Sequence, residues 1–413
     1  MTSTTSRHWA QTVPGSTALP RVLAGDGRRD LPGHLARHGQ LPDVSGSALL
    51  DAVEAAGLSG RGGAGFPTAR KWRAVASGAG PAVVVGNAAE GEPASSKDHV
   101  LLTTNPHLVL DGVQVAARAV GATRVVLYAE PDAETWAVLG EALREREDDR
   151  VELIAARHAF IAGEESAVVD AVSGGPGLPR AKPPRVFERG VDGRPTLVQN
   201  VETLAHAALV AHYGPGWFRA LGTDDEPGTM LLTLHGGRGR TVAEAEIGTP
   251  LVDLVDLAGA QAVLIGGYHG TWVPADAARS ARLSRASLGA VGATPGAGVV
   301  VPLPRGSCGV VETARVLVYL AAQSAGQCGP CLNGLPRIAL VAEALAEGRA
   351  TPRDLADLRR WAGLVQRRGA CAHPDGTVRL LTSALEVFEP EVQRHLAGRC
   401  SARDHRPILD GRS

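Results

Sequence analysis

Ala82-Val-Val-Val-Gly-Asn-Ala-Ala-Glu-Gly-Glu-Pro93 is the stretch on which the reading of the whole chain turns. Ala82 to Val85 is a short apolar run without alternation, the pattern of a strand buried on both faces, and a glycine followed by an acidic turn ends it abruptly. The units on either side repeat the theme. Upstream, Ala48 to Ala56 has the spacing of a short helix and runs into a glycine-dense string from Gly57 to Gly65. Downstream, Leu108 to Ala119 is helical in period, Arg124 to Tyr128 is a second buried-strand run, Asp132 to Glu145 is helical again and Val151 to Ala155 is a third strand. Such βαβ spacing implies an α/β architecture, a mostly parallel sheet covered by helices.

Beyond this core the pattern changes twice. Residues 1–45 are polar and broken by Pro14, Pro20, Pro32 and Pro42, which predicts an extended arm with at most one short helix near Leu35. After Gly214 to Gly228, the segments Met230 to Leu234, Leu251 to Leu257 and Ala262 to Ile265 read as strands of a small module that ends near Gly298. An apolar strand, Val299 to Leu303, then leads into four predicted helices: Val311 to Gln323, Leu335 to Glu347, Arg353 to Arg367 and Val378 to Leu396. Thr351, Pro352 and Asp354 supply an N-cap, a first-turn proline and a first-turn carboxylate. The expected boundaries are an arm over 1–45, an α/β domain over 46–225, a strand-rich module over 226–300, a helical domain over 301–400 and a tail over 401–413.

Composition excludes several classes. In 413 residues, 42 Lys and Arg balance 43 Asp and Glu, so a formal net charge of -1 offers no global pull toward nucleic acid or anionic lipid. No apolar stretch approaches the roughly 20 residues that span a bilayer. The N-terminus lacks the apolar core of a secretory signal, so the chain reads as cytoplasmic and soluble, associated with a membrane only through a partner. The 51 glycines and 4% aromatics need no more than a GC-rich genome.

Two stretches carry chemistry. Cys328-Gly-Pro-Cys331 follows the first predicted C-terminal helix, and Cys371 lies in the loop before the last. Two thiolates that close reach one metal centre, a distant third completes the site once helices pack, and the flanking Gly326, Gly329, Pro330 and Gly334 keep the ligands on loops. The other stretch is Gly57-Leu-Ser-Gly-Arg-Gly-Gly-Ala-Gly-Phe-Pro-Thr68, where Gly60, Gly62 and Gly63 let backbone N–H groups approach a phosphate that Arg61 and Lys71 neutralise.

Ser324-Ala-Gly-Gln-Cys-Gly-Pro-Cys331 resembles the cluster motif of the NADH-binding flavoprotein subunit of respiratory complex I and of related hydrogenases and formate dehydrogenases, whose pattern is Ser-Cys-Gly-x-Cys-x-Pro-Cys with a fourth cysteine further on. Cys328, Cys331 and Cys371 match its later ligands, and Ala325 stands at the first. The resemblance implies a 4Fe–4S cluster, or a 3Fe–4S cluster given the missing thiolate. Cys308 precedes the helix that the cluster loop follows, which at 1.5 Å per residue places it roughly 20 Å away. His373 is the nearest substitute ligand but reads first as an ordinary loop histidine, and Cys400 reads as an exposed thiol.

The glycine string is similar to the same family's flavin-phosphate loop, which implies FMN and adds Phe66 as an aromatic contact of the dinucleotide's adenine. Gly86 to Pro93, Phe160-Ile-Ala-Gly-Glu-Glu165 and Gln199-Asn-Val-Glu-Thr203 are similar to further family motifs, so Asn87, Glu90, Glu92, Gly163, Glu164, Glu165, Asn200 and Thr203 are expected to contact flavin or nucleotide, with Lys182 beside them. Glu92 and Glu165 are expected to position NAD(P)H, with no acid–base step. The resemblance also implies a Rossmann-like flavin and nucleotide domain, a β-grasp (ubiquitin-like) module and a four-helix iron–sulfur domain. Two family aromatics are Ala74 and Arg185 here, and Ala89 replaces an aspartate. At about 0.5–1.5 kcal/mol per stacked pair the two lost aromatics weaken dinucleotide binding about tenfold or more, unless Arg185 stacks on adenine or pairs with a 2′-phosphate, which would favour NADPH. The implied activity is electron transfer from NAD(P)H through FMN to the cluster and on to a redox partner. The alternatives are a relay between a ferredoxin and a membrane reductase, or an assembly subunit without redox centres.

Overall fold

The computed structural model describes residues 10–12, 21–23, 30–237, 239–402 and 407–409. Parts of the expected arm and tail therefore lie outside the described residues. The short helix expected near Leu35 is present as Leu31–His38, capped by Asp30.

Among the described residues ten strands form two sheets: β1 (Ala10–Thr12), β2 (Ala82–Ala88), β3 (Ala122–Ala129), β4 (Val151–Ala155), β5 (Thr196–Asn200), β6 (Thr229–Gly236), β7 (Gly239–Glu246), β8 (Ala260–Ile265), β9 (Thr271–Pro274) and β10 (Val299–Pro304). The first sheet runs β4-β3-β2-β5 and all its pairings are parallel. Its central strand is the apolar run read first: Val83, Val84 and Val85 are fully buried. On one face pack the helices Pro106–Val120 and Val201–Phe218, on the other Glu165–Val172, which explains why β2 shows no alternation. The two long helices touch so closely that a Cβ on Gly112 would lie 2.1 Å from the Leu204 carbonyl oxygen.

The second sheet runs β1-β7-β6-β10-β8-β9. β6 and β7 form an antiparallel hairpin, β10 lies parallel to β6 and antiparallel to β8, and this is the β-grasp arrangement. Two expectations are corrected. Leu251 to Leu257 is not a strand: Leu251–Leu254 is a helical turn after Pro250, and Val255 and Leu257 are buried beyond it. A short apolar run carries no period that tells strand from helix, and here packing under the sheet decides. The module also does not end at Gly298, because β10 is its middle strand, hydrogen-bonded on both edges.

The C-terminal part is helical: Gly309–Ala322, Leu335–Ala346, Pro352–Val365, His373–Val387 and Glu389–Leu396. The expected N-cap is formed, and Asp354 turns it into a capping box, with the Thr351 N–H donating to Asp354 at 2.8 Å. The expected helix Val378 to Leu396 is two helices that meet at Phe388, whose ring is buried 5.2 Å from that of Trp272. Docking this ring, with Pro390 unable to continue the ladder, bends the chain there.

Candidate functional site

The C-terminal edge of the parallel sheet gathers most of the expected flavin residues. Asn87 on β2 and Asn200 on β5 are register partners. The glycine string lies over them: a Cβ on Gly62 would come within 3.1 Å of the Asn200 Cβ, and the Arg61 N–H donates to the Thr203 hydroxyl at 2.8 Å. From the helix Thr68–Ala76, Lys71 donates to the Val198 carbonyl at 2.6 Å and pairs with Glu165 at 2.7 Å. Glu164 caps the helix Glu165–Val172 by accepting from the Ser166 N–H at 2.8 Å, while its other oxygen pairs with Lys182 at 3.1 Å. Asn87 donates to the Gly163 carbonyl at 2.9 Å, and a Cβ on Gly163 would stand 2.8 Å from the Ala89 carbonyl oxygen. Phe66 is exposed, with the Arg70 guanidinium 5.6 Å from its ring centre.

Two expected residues are spent elsewhere, and a third, Glu92, is anchored from outside the sheet edge. Arg61 is not an open cation for a phosphate: its guanidinium is buried and donates to the Thr229 carbonyl at 3.1 Å and the Ser59 hydroxyl at 2.6 Å, bracing the loop against β6. Glu90 accepts from the Ser95 hydroxyl at 2.5 Å and from the N–H groups of Asp98 and His99 at 3.2 and 3.1 Å, at the start of the helix Lys97–Thr104. Glu92 bridges to the second sheet's module, accepting from the Tyr268 N–H at 2.8 Å.

Sequence reasoning missed the charged group beneath this edge. Lys97 is buried with its ammonium 2.6 Å from Asp98 and 2.9 Å from Glu202, and Asp98 accepts from the Asn200 amide at 2.7 Å. Burial opposes ionisation of Glu202, but the Lys97 ammonium, His206 and Arg61 together outweigh it and hold the carboxyl down to about 2. Glu202 also accepts from the Leu231 N–H at 2.7 Å, tying the two sheets together. A Lys-Asp pair in a polar stretch reads as solvated, and only the fold buries it.

The cysteines come together on the helical side. Cys331 sits in the π-helical turn Pro330–Gly334 that feeds the helix Leu335–Ala346, and Cys371 precedes the helix His373–Val387. Burial, then the neighbouring thiols of Cys328 and Cys371, push the Cys331 thiol up to about 12. A buried thiol that resists ionisation among other thiols suits a cationic iron–sulfur core, which would offset the thiolate charge once bound. His373 does not complete it. Its ring is buried in the first turn of a helix, with Nε2 2.9 Å from the Leu320 carbonyl oxygen and Nδ1 3.1 Å from His269 Nε2. Ala325 offers no donor, whereas the Ser324 hydroxyl, not singled out from sequence, lies near enough to the Cys331 thiol to lower it against the other influences. The two assemblies adjoin: the Phe160 N–H donates to the Gln323 side chain at 3.0 Å, next to Ser324, and the Phe160 ring lies 5.5 Å from that of His373.

A glycine-lined cradle at the end of a parallel sheet, beside a helical thiol site, defines a flavin and iron–sulfur class of oxidoreductase. Residues 53–208 match the model of the Nuo51 FMN-binding domain and residues 312–395 that of the NADH-ubiquinone oxidoreductase-F iron-sulfur binding region. The chain is 31% identical over 376 residues to the NADH-quinone oxidoreductase F subunit of Streptomyces coelicolor, covering 85% of this chain and 83% of that one. It is 31% identical over 412 residues to the second NADH-quinone oxidoreductase F subunit of Rhizobium meliloti, covering 94% and 96%. A crystal structure of an NAD+-reducing [NiFe]-hydrogenase in the H2-reduced state superposes with a TM-score of 0.76 at 33% identity, over 85% of this chain and 63% of that chain. The chain belongs to the family of NADH-quinone oxidoreductase F subunits. Among the described residues no helix is long and apolar enough to cross a membrane.

Proposed function

We propose that this chain passes electrons from NAD(P)H through FMN to an iron–sulfur cluster on Cys328, Cys331 and Cys371, and from there to a redox partner protein. The observation that carries the reading is the adjacency of the two sites, since the Phe160 N–H, at the head of Phe160–Glu165, donates to the Gln323 side chain at 3.0 Å just before the cysteine loop, and the Phe160 ring lies 5.5 Å from that of His373, two residues after Cys371. FMN, when bound, takes a hydride and releases its electrons singly, which lets a two-electron donor feed a one-electron cluster. The chain's own residues position and shield. Gly60, Gly62 and Gly63 admit a phosphate to backbone N–H groups, Lys71 supplies the nearby cation, and the Asn87 and Asn200 amides border the ring site. Glu165, held by Lys71, and Glu92, held by the Tyr268 N–H, orient the nicotinamide without exchanging a proton. Leu332, 57% exposed beside Cys331, marks the side from which a ferredoxin-like protein or a membrane reductase subunit takes electrons. The proposed setting is cytoplasmic.

The test is anaerobic titration of the purified chain with NADH and NADPH, followed by flavin absorbance and EPR. Bleaching of the flavin with a new cluster signal is the expected result. If neither nucleotide bleaches the flavin while reduced ferredoxin does, the ferredoxin relay replaces it, a reading that Ala74, Ala89 and Arg185 at the nucleotide positions would then explain.

A further inference from the structure

Cys308 and Cys400 are the two cysteines that the proposed redox site leaves unused. Cys308 stands at the N-terminus of the helix Gly309–Ala322, and Cys400 follows the helix Glu389–Leu396. The fold brings them to two side chains of that last helix, one turn apart and so facing the same way. One donor atom each from Cys308, Glu391, His395 and Cys400 lie within 4.8 Å of one another. This is not the cluster: the 14-residue helix Gly309–Ala322 separates Cys308 from the Cys328 loop.

The spacing is that of ligands around a single small ion. Cys308 Sγ is 3.3 Å from His395 Nε2 and 3.9 Å from Glu391 Oε1, and Nε2 is 3.5 Å from Oε1. Zn–S bonds of about 2.3 Å and Zn–N bonds of about 2.0–2.1 Å give tetrahedral ligand edges of about 3.3–3.8 Å. The imidazole is already in the ligand tautomer. Its Nδ1 donates to the Leu345 carbonyl at 3.0 Å, so the Nε2 lone pair is left facing the sulfur. Glu391 is held by the Ser401 N–H at 2.7 Å, the Ser401 hydroxyl at 2.6 Å and Arg394 at 2.9 Å. Two thiolates and one carboxylate around a dication leave one negative charge, and the Arg394 guanidinium offsets it. The Ala402 N–H donates to Cys400 Sγ at 3.4 Å, as to a ligating sulfur. Cys308, Glu391 and His395 are buried, while Cys400 is exposed and gives an ion a way in.

We propose that Cys308, Glu391, His395 and Cys400 form a tetrahedral zinc site that clips the C-terminal segment onto the first helix after β10. The mixed sulfur, nitrogen and oxygen set favours zinc over harder cations, and binding releases the two thiol protons to solvent. Cys308 and His395 are 87 residues apart, so the ion closes a long loop, the case in which a crosslink constrains the chain most. It fixes one end of the helix whose other end leads into the Cys328 loop.

The experiment is metal analysis of the full chain, purified anaerobically from medium of defined zinc and iron content and passed over a chelating resin. The expected result is about one zinc per chain, with zinc reduced about tenfold or more in C400S and in H395A while iron and flavin content stay at the parent level. Replacing zinc with Co2+ in the parent should add the intense ligand-field bands of a tetrahedral thiolate site, and these should vanish in C400S. The retained iron and flavin separate loss of the site from loss of the fold. The proposal is overturned by a parent chain without stoichiometric zinc, by zinc that persists in both variants, or by peptide mapping that finds Cys308 and Cys400 joined in a disulfide.

Discussion

At the sheet edge nearly every polar side chain is anchored at both ends. Lys71 holds both the Val198 carbonyl and Glu165, Glu164 holds a helix N-terminus and Lys182, and Asn200 joins Asp98 to the helix it caps. In the cysteine loop Cys331 has the Ser324 hydroxyl and, chiefly, other thiols for company, and the family's first ligand position is Ala325. The difference teaches that the cradle is preorganised by the fold, whereas the thiol site depends on its cofactor for cohesion. Glycines and buried ion pairs shape the first before anything binds, and only a cation relieves the crowding in the second.

The sharpest break in that comparison is C331S. Two thiolates remain, so iron measured per chain should fall to background while flavin content is retained. Loss of flavin as well would mean that the cradle leans on the cluster and is not independently built.

Next in size is K97M, which leaves Glu202 buried without its cation beneath the sheet edge. Breaking a buried pair costs about 3–5 kcal/mol, to be read from the urea midpoint at unchanged slope. A cost near zero would show that the edge is not held by this pair. A325C should sharpen the contrast from the other side by restoring the fourth thiolate. The expected change is from about three to about four iron atoms per chain, with EPR passing from a three-iron to a four-iron signal. An unchanged iron count would mean that the open iron is already held, with the Ser324 hydroxyl as the first candidate.

The smallest effect lies outside both sites, in the packing of the helix Leu31–His38. Burial, then the charge of His34, holds His38 down to about 4; burial, then Arg146, holds His107 down to about 4. Each is depressed below its unfolded value of about 6.5, so the unfolded chain binds more protons between these limits. Stability contributed by these residues is therefore complete above about pH 6.5 and lost progressively down to about pH 4. Thermal melts across that range should show a falling midpoint, shallower in H38N, and a flat profile would contradict the burial of these rings.

Much of this was legible without coordinates, because it rests on local order. The unbroken apolar run Ala82 to Val85 announces a strand covered on both faces, and Thr351, Pro352 and Asp354 announce a helix start, since both signals lie within a few residues. The cysteine spacing and the glycine string likewise reveal their chemistry locally. The errors sit where local order is silent. Leu251 to Leu257 has no period, and β10 looks like any apolar strand until its partners β6 and β8 are known. For His373, two residues from a ligand, spacing leaves both a non-ligand histidine and a substitute ligand open, and packing decides for the first by spending both ring nitrogens on Leu320 and His269.

By itself, then, the sequence determined the α/β core, the helical C-terminal part, the glycine cradle and the three thiols with a gap at Ala325. Each of these is written in residue type and spacing along the chain. Only the tertiary structure decided that Arg61 braces the loop, that Lys97 and Glu202 form a buried pair, and that Cys308 and Cys400 meet at His395 and Glu391. Those arrangements depend on side chains from distant segments, and which of them meet is set by how helices and sheets pack.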